Sequence, residues 1–395
     1  MTLDLTRLSS RIDDLAGVTD FAASEDSASR LADAFQTVDV FDLSARLTTA
    51  KTSWLLAQPG SSFQGAIPAS PPPDDYSVVA SDGSFILPDR HSPARFYVIN
   101  IGKVLLRYGA APFADITADA EVYFRENELY VPDQIKRIPI NGTLLGFKRA
   151  AAELAAVADV AAAQDGPVLA LQDGTLILWG LETYPDPVVD WILESYLGAM
   201  ETLKARGIPV ASFISYPSST DVVNSVRVSV CDYPLLGKRI NCDDCQLRVT
   251  TENHIAACEF IPDVNDRMLF DQIAPLRPGE RSQVYASRSK ILEQYGHDQH
   301  IHFFYVNTGA EIARVEIPRW VARDEAKLQL THSAIFDQCS LGRGYPTALQ
   351  EAHEVAAIRP DERRAVETLV EEALARRGLV YRRSAKDESK RGRFV

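Results

Sequence analysis

Residues 168–175 read VLALQDGT. The apolar run Val168-Leu169-Ala170-Leu171 has strand length, carries Gln172 and delivers Asp173, after which Gly174 and Thr175 interrupt it. Downstream, Pro187 to Ala205 reads as a helix with Trp191, Leu193, Tyr196, Leu197, Met200 and Leu203 as its apolar residues. Gly207 ends that helix and leads into a second strand, Pro209-Val210-Ala211-Ser212-Phe213-Ile214. Strand, helix and strand make a β-α-β unit, for which a right-handed, parallel arrangement is expected. The chain is therefore placed in the α/β class.

Upstream, Tyr76-Ser77-Val78-Val79-Ala80-Ser81 reads as a short strand ending in Asp82-Gly83-Ser84, the same pattern of strand, Asp, Gly and hydroxyl residue. Two carboxylates fixed on separate strands can share a hard cation such as Mg²⁺ or Mn²⁺, which prefers oxygen ligands. Each Asp-Gly pair alone also reads as an ordinary turn after a strand. Between them, Thr143 to Ala163 forms a helix whose apolar face runs through Leu144, Phe147, Ala151, Leu154 and Val157. Glu153 on this helix has two readings: a solvated partner of Arg149 one turn back, or a third carboxylate aimed at the metal. Near the C-terminus, LGRGYPTALQEAHE at 341–354 opens a helix at Pro346. The spacing of Leu349, Ala352 and Ala356 predicts that His353 faces inward, either as a core residue or as a metal ligand.

The flanks are simpler. Residues 1–57 read as amphipathic and helical, with Leu31, Phe35, Val38, Phe41 and Leu47 at helical spacing, and residues 58–75 (QPGSSFQGAIPASPPPDD) as a Pro-rich linker. Three divisions follow: 1–75, 76–358 with an insertion at about 231–280, and 359–395, a charged helix with a basic tail. From Arg376 onward the tail holds eight basic residues against two acidic ones, in a chain of net charge −13. That overall charge argues against coating DNA over the whole surface and leaves room for a local basic groove or arm. No apolar run approaches the ~20 residues needed to span a bilayer, and the acidic, polar N-terminus lacks a signal-peptide core, so a cytoplasmic protein is expected. Cys231, Cys242, Cys245 and Cys258 cluster in the insertion. Their CxxC at 242–245 has the spacing of a structural zinc site, and a set of reduced thiols without metal is the alternative.

SDGS at 81–84, LQDGT at 171–175 and GYPTALQEAHE at 344–354 resemble, in order and spacing, the motifs of the NurA nucleases. VYASRSKILEQYG at 284–296, IHFFYVNTG at 301–309 and EIPRW at 316–320 are similar as well, and the resemblance covers about Tyr76 to Ile358. It implies an RNase H-like fold, a mixed five-stranded sheet flanked by helices. It also implies catalytic roles for Asp82, Glu153, Asp173, Tyr345 and His353, with Asp82, Asp173, Glu153 and His353 holding Mn²⁺ or Mg²⁺. The implied activity is hydrolysis of DNA phosphodiesters, with the cation polarising the phosphate and activating water. The implied partners are DNA and a HerA-type hexameric ATPase. The implied assembly is a homodimer that threads DNA, working at the nucleoid in DNA end processing, repair or phage defence. The competing expectation is a catalytically silent scaffold that binds DNA or the ATPase and carries a structural zinc.

Overall fold

A computed structural model describes residues 8–9, 11–12, 25–88, 94–132, 137–245 and 256–378. The basic tail beyond Gly378 lies outside the described residues. The chain divides into two compact units. Residues 67–216 and 277–395 form the larger, and residues 1–66 and 217–276 the smaller.

The larger unit begins with three antiparallel strands, β1 (Tyr76–Ile86), β2 (Tyr97–Tyr108) and β3 (Phe113–Tyr123). Helix α1 (Gly142–Ala162) leads to β4 (Val168–Asp173), and α2 (Asp186–Ala205) to β5 (Val210–Ile214). Three further strands follow, β6 (Tyr285–Ser287), β7 (Ile301–Asn307) and β8 (Ile312–Pro318), and then α3 (Glu325–Leu341), α4 (Thr347–Ala356) and α5 (Pro360–Ala375). Apart from the two-residue strands Ile67–Pro68 and Glu280–Arg281, which pair with each other and, through the latter, with β7, the order of this unit's strands is β3-β2-β1-β4-β5-β8-β7-β6. Strand β4 pairs in parallel with both β1 and β5, so β4-α2-β5 is the β-α-β unit that the sequence predicts. The sheet is wider than the five strands expected, because β8, β7 and β6 extend it antiparallel beyond β5.

Alternation along the strands splits the core in two. Val79, Ala170 and Val210 face α1 and α2, among Leu154, Val157, Ile192 and Tyr196. Val78, Ala80, Leu169, Leu171, Ala211 and Phe213 face the other way, against Ile335 of α3 and Ala348, Leu349 and Ala352 of α4. Side chains from both faces leave the central strands no solvated surface, which is why β4 reads as an apolar run rather than an alternating one. Helix α4 sits close on β2 at Gly102: a Cβ there would stand 2.6 Å from Ala352 O and 2.8 Å from Val355 Cγ2. The glycine lets the helix backbone reach the strand.

Several expectations change. Strand β1 does not stop at Asp82. It runs to Ile86 because β2 pairs with it along its whole length, with Asp82 opposite Gly102. Asp82-Gly83 is therefore extended strand, whereas Gly174, with φ of 81°, is a true turn. The stretch 58–75 is no slack linker at its start, since Phe63 is fully buried and Gln64 Nε2 donates to the carbonyls of Phe35 and Val38. Phe41 breaks the inward stripe, being 88% exposed while Leu43 and Leu47 are buried.

In the smaller unit, helices Glu25–Gln36, Val40–Thr49 and Asp221–Ser229 surround Leu31, Phe35, Leu43 and Leu47. Buried Asp266 accepts from the Val222 and Val223 amides, satisfying two donors at the start of the third helix. The same unit carries the cysteines. Burial pushes the Cys231 thiol up and the Cys242 thiol up to about 11, and each is raised further by Cys245 and Cys258 nearby.

Candidate active site

The parallel register between β1 and β4 decides the geometry. Ser81 stands beside Gln172, so the next residue on each strand, Asp82 and Asp173, falls at adjacent positions on the α4 face. There each carboxylate has one partner from the segment around α4. Tyr345 Oη donates to Asp173 Oδ1 at 2.8 Å, and His353 Nδ1 lies 2.8 Å from Asp82 Oδ2. Tyr345 is held edge-on to Phe213, with ring centroids 5.5 Å apart. The loop that delivers it is tight: Gly344 has φ of 108°, and a Cβ on it would lie 2.3 Å from Ala310 Cβ. Even Arg343 is forced to φ of 57°.

Glu153 arrives from the opposite face. Helix α1 lies against β1, β2 and β4, and Ser81 Oγ donates to Glu153 O at 2.8 Å. The carboxylate passes beneath Gly83, where a Cβ would stand 2.6 Å from Glu153 Oε1 and 2.9 Å from Arg149 Cγ. The glycine after Asp82 is thus explained by the approach of a side chain rather than by a turn. Glu153 is only 4% exposed. Burial pushes its carboxyl up to about 8, against the pull of Arg149, with Asp82 and Asp173 raising it further. Arg149 Nε faces Glu153 Oε1 at 3.1 Å, yet neither atom has an aligned hydrogen bond. Arg149 spends a different donor, Nη1, on Gly83 O at 2.8 Å. Burial likewise raises Asp173, opposed by the Tyr345 hydroxyl and reinforced by Asp82. It also raises Tyr345, together with the neighbouring Asp173 charge.

The five residues singled out in the sequence therefore lie around the point where β4 ends beside the middle of β1. His353 does so in a different manner from that expected. It is 67% exposed rather than inward, because α4 buries Leu349, Ala352 and Ala356 and leaves His353 on the edge of that face, within reach of Asp82. The solvated reading of Glu153 fails, although its pairing with Arg149 holds.

A protein-family model described as the NurA domain matches residues 76–358. The chain belongs to the NurA family. No curated protein matches it significantly. Among solved structures it is similar to the NurA nuclease of Sulfolobus solfataricus, at 13% identity and a TM-score of 0.47, over 79% of this chain and 87% of that one. Two neighbours of this NurA-family site go beyond what the sequence assigns, which for Arg149 is only the pairing with Glu153 and for Glu316 is no role. Arg149 sits beside the carboxylates, and Glu316, from EIPRW, is buried behind the Asp173 turn.

The donor set suits a hard divalent cation: three carboxylates and one imidazole, with a buried Glu153 oxygen lacking a hydrogen-bond partner. Among the described residues no three His, Cys, Asp or Glu side chains are grouped as they stand to hold a metal ion. Here Tyr345, His353 and Arg149 engage the carboxylates one by one, so gathering them around an ion requires side-chain rotation. The fit beneath Gly83 is open to a mutant cycle. Gly83→Ala is expected to cost about 1–3 kcal/mol by overpacking. Combined with Glu153→Ala, it should show a coupling of about 0.5–3 kcal/mol in chemical denaturation. Strict additivity would place the Glu153 carboxylate elsewhere.

Proposed function

We propose that this NurA-family chain is a divalent-metal-dependent deoxyribonuclease with an RNase H-like core. The observation that carries this reading is that Asp82, Asp173 and Glu153, from two strands and a helix, are brought within electrostatic reach of one another despite their mutual repulsion. The order β3-β2-β1-β4-β5, with three antiparallel strands and two parallel neighbours, supports the RNase H-like assignment. Asp82, Asp173, Glu153 and His353 would hold Mn²⁺ or Mg²⁺. Such an ion, when bound, neutralises the phosphodiester charge and favours attack by water.

The chain's own residues do the rest. Tyr345 remains a proton-bearing donor at neutral pH because burial and Asp173 keep its hydroxyl protonated. It thus fixes the orientation of Asp173 and can turn the same proton toward a phosphate oxygen. The fixed strand positions of Asp82 and Asp173 limit the reorganisation needed as charge develops. Arg149 places a cation beside the site, suited to an incoming phosphate. Family membership supports DNA as substrate, a HerA-type hexameric ATPase as partner, a homodimer, and a role in DNA end processing, repair or phage defence.

The four cysteines form a separate proposal, a structural zinc. It is supported by the CxxC spacing and by their mutual electrostatic reach. Among the described residues these cysteines are not grouped as they stand to hold a metal ion. Freshly purified, reduced protein is expected to carry about one zinc per chain, matching a closed four-thiolate site. Elemental analysis finding none removes zinc from the account.

For the nuclease reading, the decisive assay is cleavage of end-labelled DNA with Mn²⁺ and with EDTA. Wild type should cut only with the metal. Asp82→Ala and Asp173→Ala should each lose about 10²–10³-fold or more, the scale of removing one group aimed at developing charge, while remaining folded. Near wild-type cleavage by either variant at saturating Mn²⁺ overturns the site.

A further inference from the structure

One residue before the two aspartates, a second row crosses the sheet on its other face. Ser81 stands beside Gln172, Gln172 beside Ser212, and Ser212 beside Glu316. All four are buried. Polar groups in such a place cost stability unless satisfied, and apolar residues of similar size would pack there at least as well. Gln172 Oε1 and Ser212 Oγ have no hydrogen-bond partner among the described residues, so internal satisfaction does not account for the row.

Its far end is the most constrained part. Glu316 Oε2 accepts from Thr175 Oγ1 at 2.7 Å and from the Leu176 amide at 2.9 Å. Its other oxygen, Oε1, meets Arg314 Nε and Nη2, each at 3.0 Å. The Arg314 guanidinium in turn stands over Phe303, with Cζ 3.7 Å from the ring centroid. Both members of the pair are buried, on a strand in the middle of the sheet. Thr175 Oγ1 also receives the Ile177 amide, and the Gly174 amide donates to Phe213 O. The turn that leaves Asp173 is thus held at successive residues, with the charged Glu316 as one of its anchors.

We infer that Glu316, fixed by Arg314, is a positioning residue that sets the Asp173 carboxylate through the Thr175–Leu176 turn. This inference rests on the metal-dependent nuclease reading for what Asp173 does, and on hydrogen bonds alone for how it is held. Among the described residues the hydrogen bonds of Glu316 run to Thr175, Leu176 and Arg314 and not to Asp173. It acts two residues away through the far side of a turn whose Gly174 amide is held separately by Phe213 O, and a displacement of about 1 Å at a reacting group is enough to cost large factors in rate. An apolar side chain at 316 could fill the space but could not accept from both Thr175 and Leu176.

Replacing Glu316 itself would strand the buried Arg314 charge and threatens folding, so the test uses the other end of the link. Thr175→Val keeps the shape and the Arg314–Glu316 pair while removing the hydroxyl. In the full-length chain, its kcat for DNA cleavage should fall about 10–100-fold, and its Mn²⁺ affinity, read without DNA from the free-Mn²⁺ electron paramagnetic resonance signal, should fall by a similar factor. KM for DNA should hold. Thr175→Ser, which restores the hydroxyl, should recover both quantities. A purely structural role would lower Tm in Thr175→Val without moving Mn²⁺ affinity. Wild-type Mn²⁺ affinity and kcat in Thr175→Val, or an equal loss in Thr175→Ser, overturns the inference. A wild-type chain that does not cut DNA sinks the nuclease reading instead, and the Mn²⁺ affinities then decide the positioning role on their own.

Discussion

The in-register parallel pairing of β1 with β4 is the constraint on which the site depends. It sets Asp82 and Asp173 side by side, where two carboxylates repel each other. A sheet selected for stability alone would place such groups apart. The surrounding structure works against that repulsion from several directions. Tyr345 donates to one aspartate, His353 meets the other, and Arg149 faces the third carboxylate, Glu153. The supporting glycines belong to the same arrangement. Gly102 brings α4 onto β2, Gly83 admits Glu153 past the strand, and Gly344 threads the Tyr345 loop beside Ala310. A local density of negative charge held by a rigid frame is the arrangement that the proposed cation would relieve.

The two faces of the sheet divide the work. On one, α3 and α4 pack over Val78, Ala80, Leu169 and Leu171 and present Tyr345 and His353. On the other, α1 carries Glu153 and Arg149, while the buried Arg314–Glu316 pair holds the turn after Asp173. The candidate site residues therefore meet where β4 ends beside the middle of β1, with each supported by the core of the face it comes from. Two of the polar residues that interrupt these strands are engaged there: Ser81 donates to Glu153 O, and Glu316 holds the turn after Asp173.

Some of this was legible in the sequence for definite reasons. The β4-α2-β5 unit showed because a short apolar run, a helical stripe and a second run differ in period, and Gly207 marks their junction. Asp82-Gly83 could not be told from a turn, since only the pairing with β2 shows that the strand continues. The burial of Glu153 is invisible to spacing, because it depends on a gap left by a glycine on another element. The face of His353 was misjudged for a related reason: helical spacing gives the buried stripe but not its width, and His353 stands at its edge. Phe41 was misplaced in the same way. Glu316 lay in a quoted motif, but its role emerges only when β8 is brought beside β5 and β4.

The central claim is that the crowded carboxylates are relieved by a divalent cation, and thermal unfolding in the absence of DNA tests it most directly. In EDTA, replacing Asp82 and Asp173 together by asparagine should raise Tm, because the repulsion is removed. Adding Mn²⁺ should raise the Tm of wild type progressively, corresponding to about 2.7 kcal/mol at a hundredfold excess over Kd, and leave the doubly substituted chain unmoved. A wild-type Tm indifferent to Mn²⁺, or a shift of equal size in the doubly substituted chain, would contradict the account.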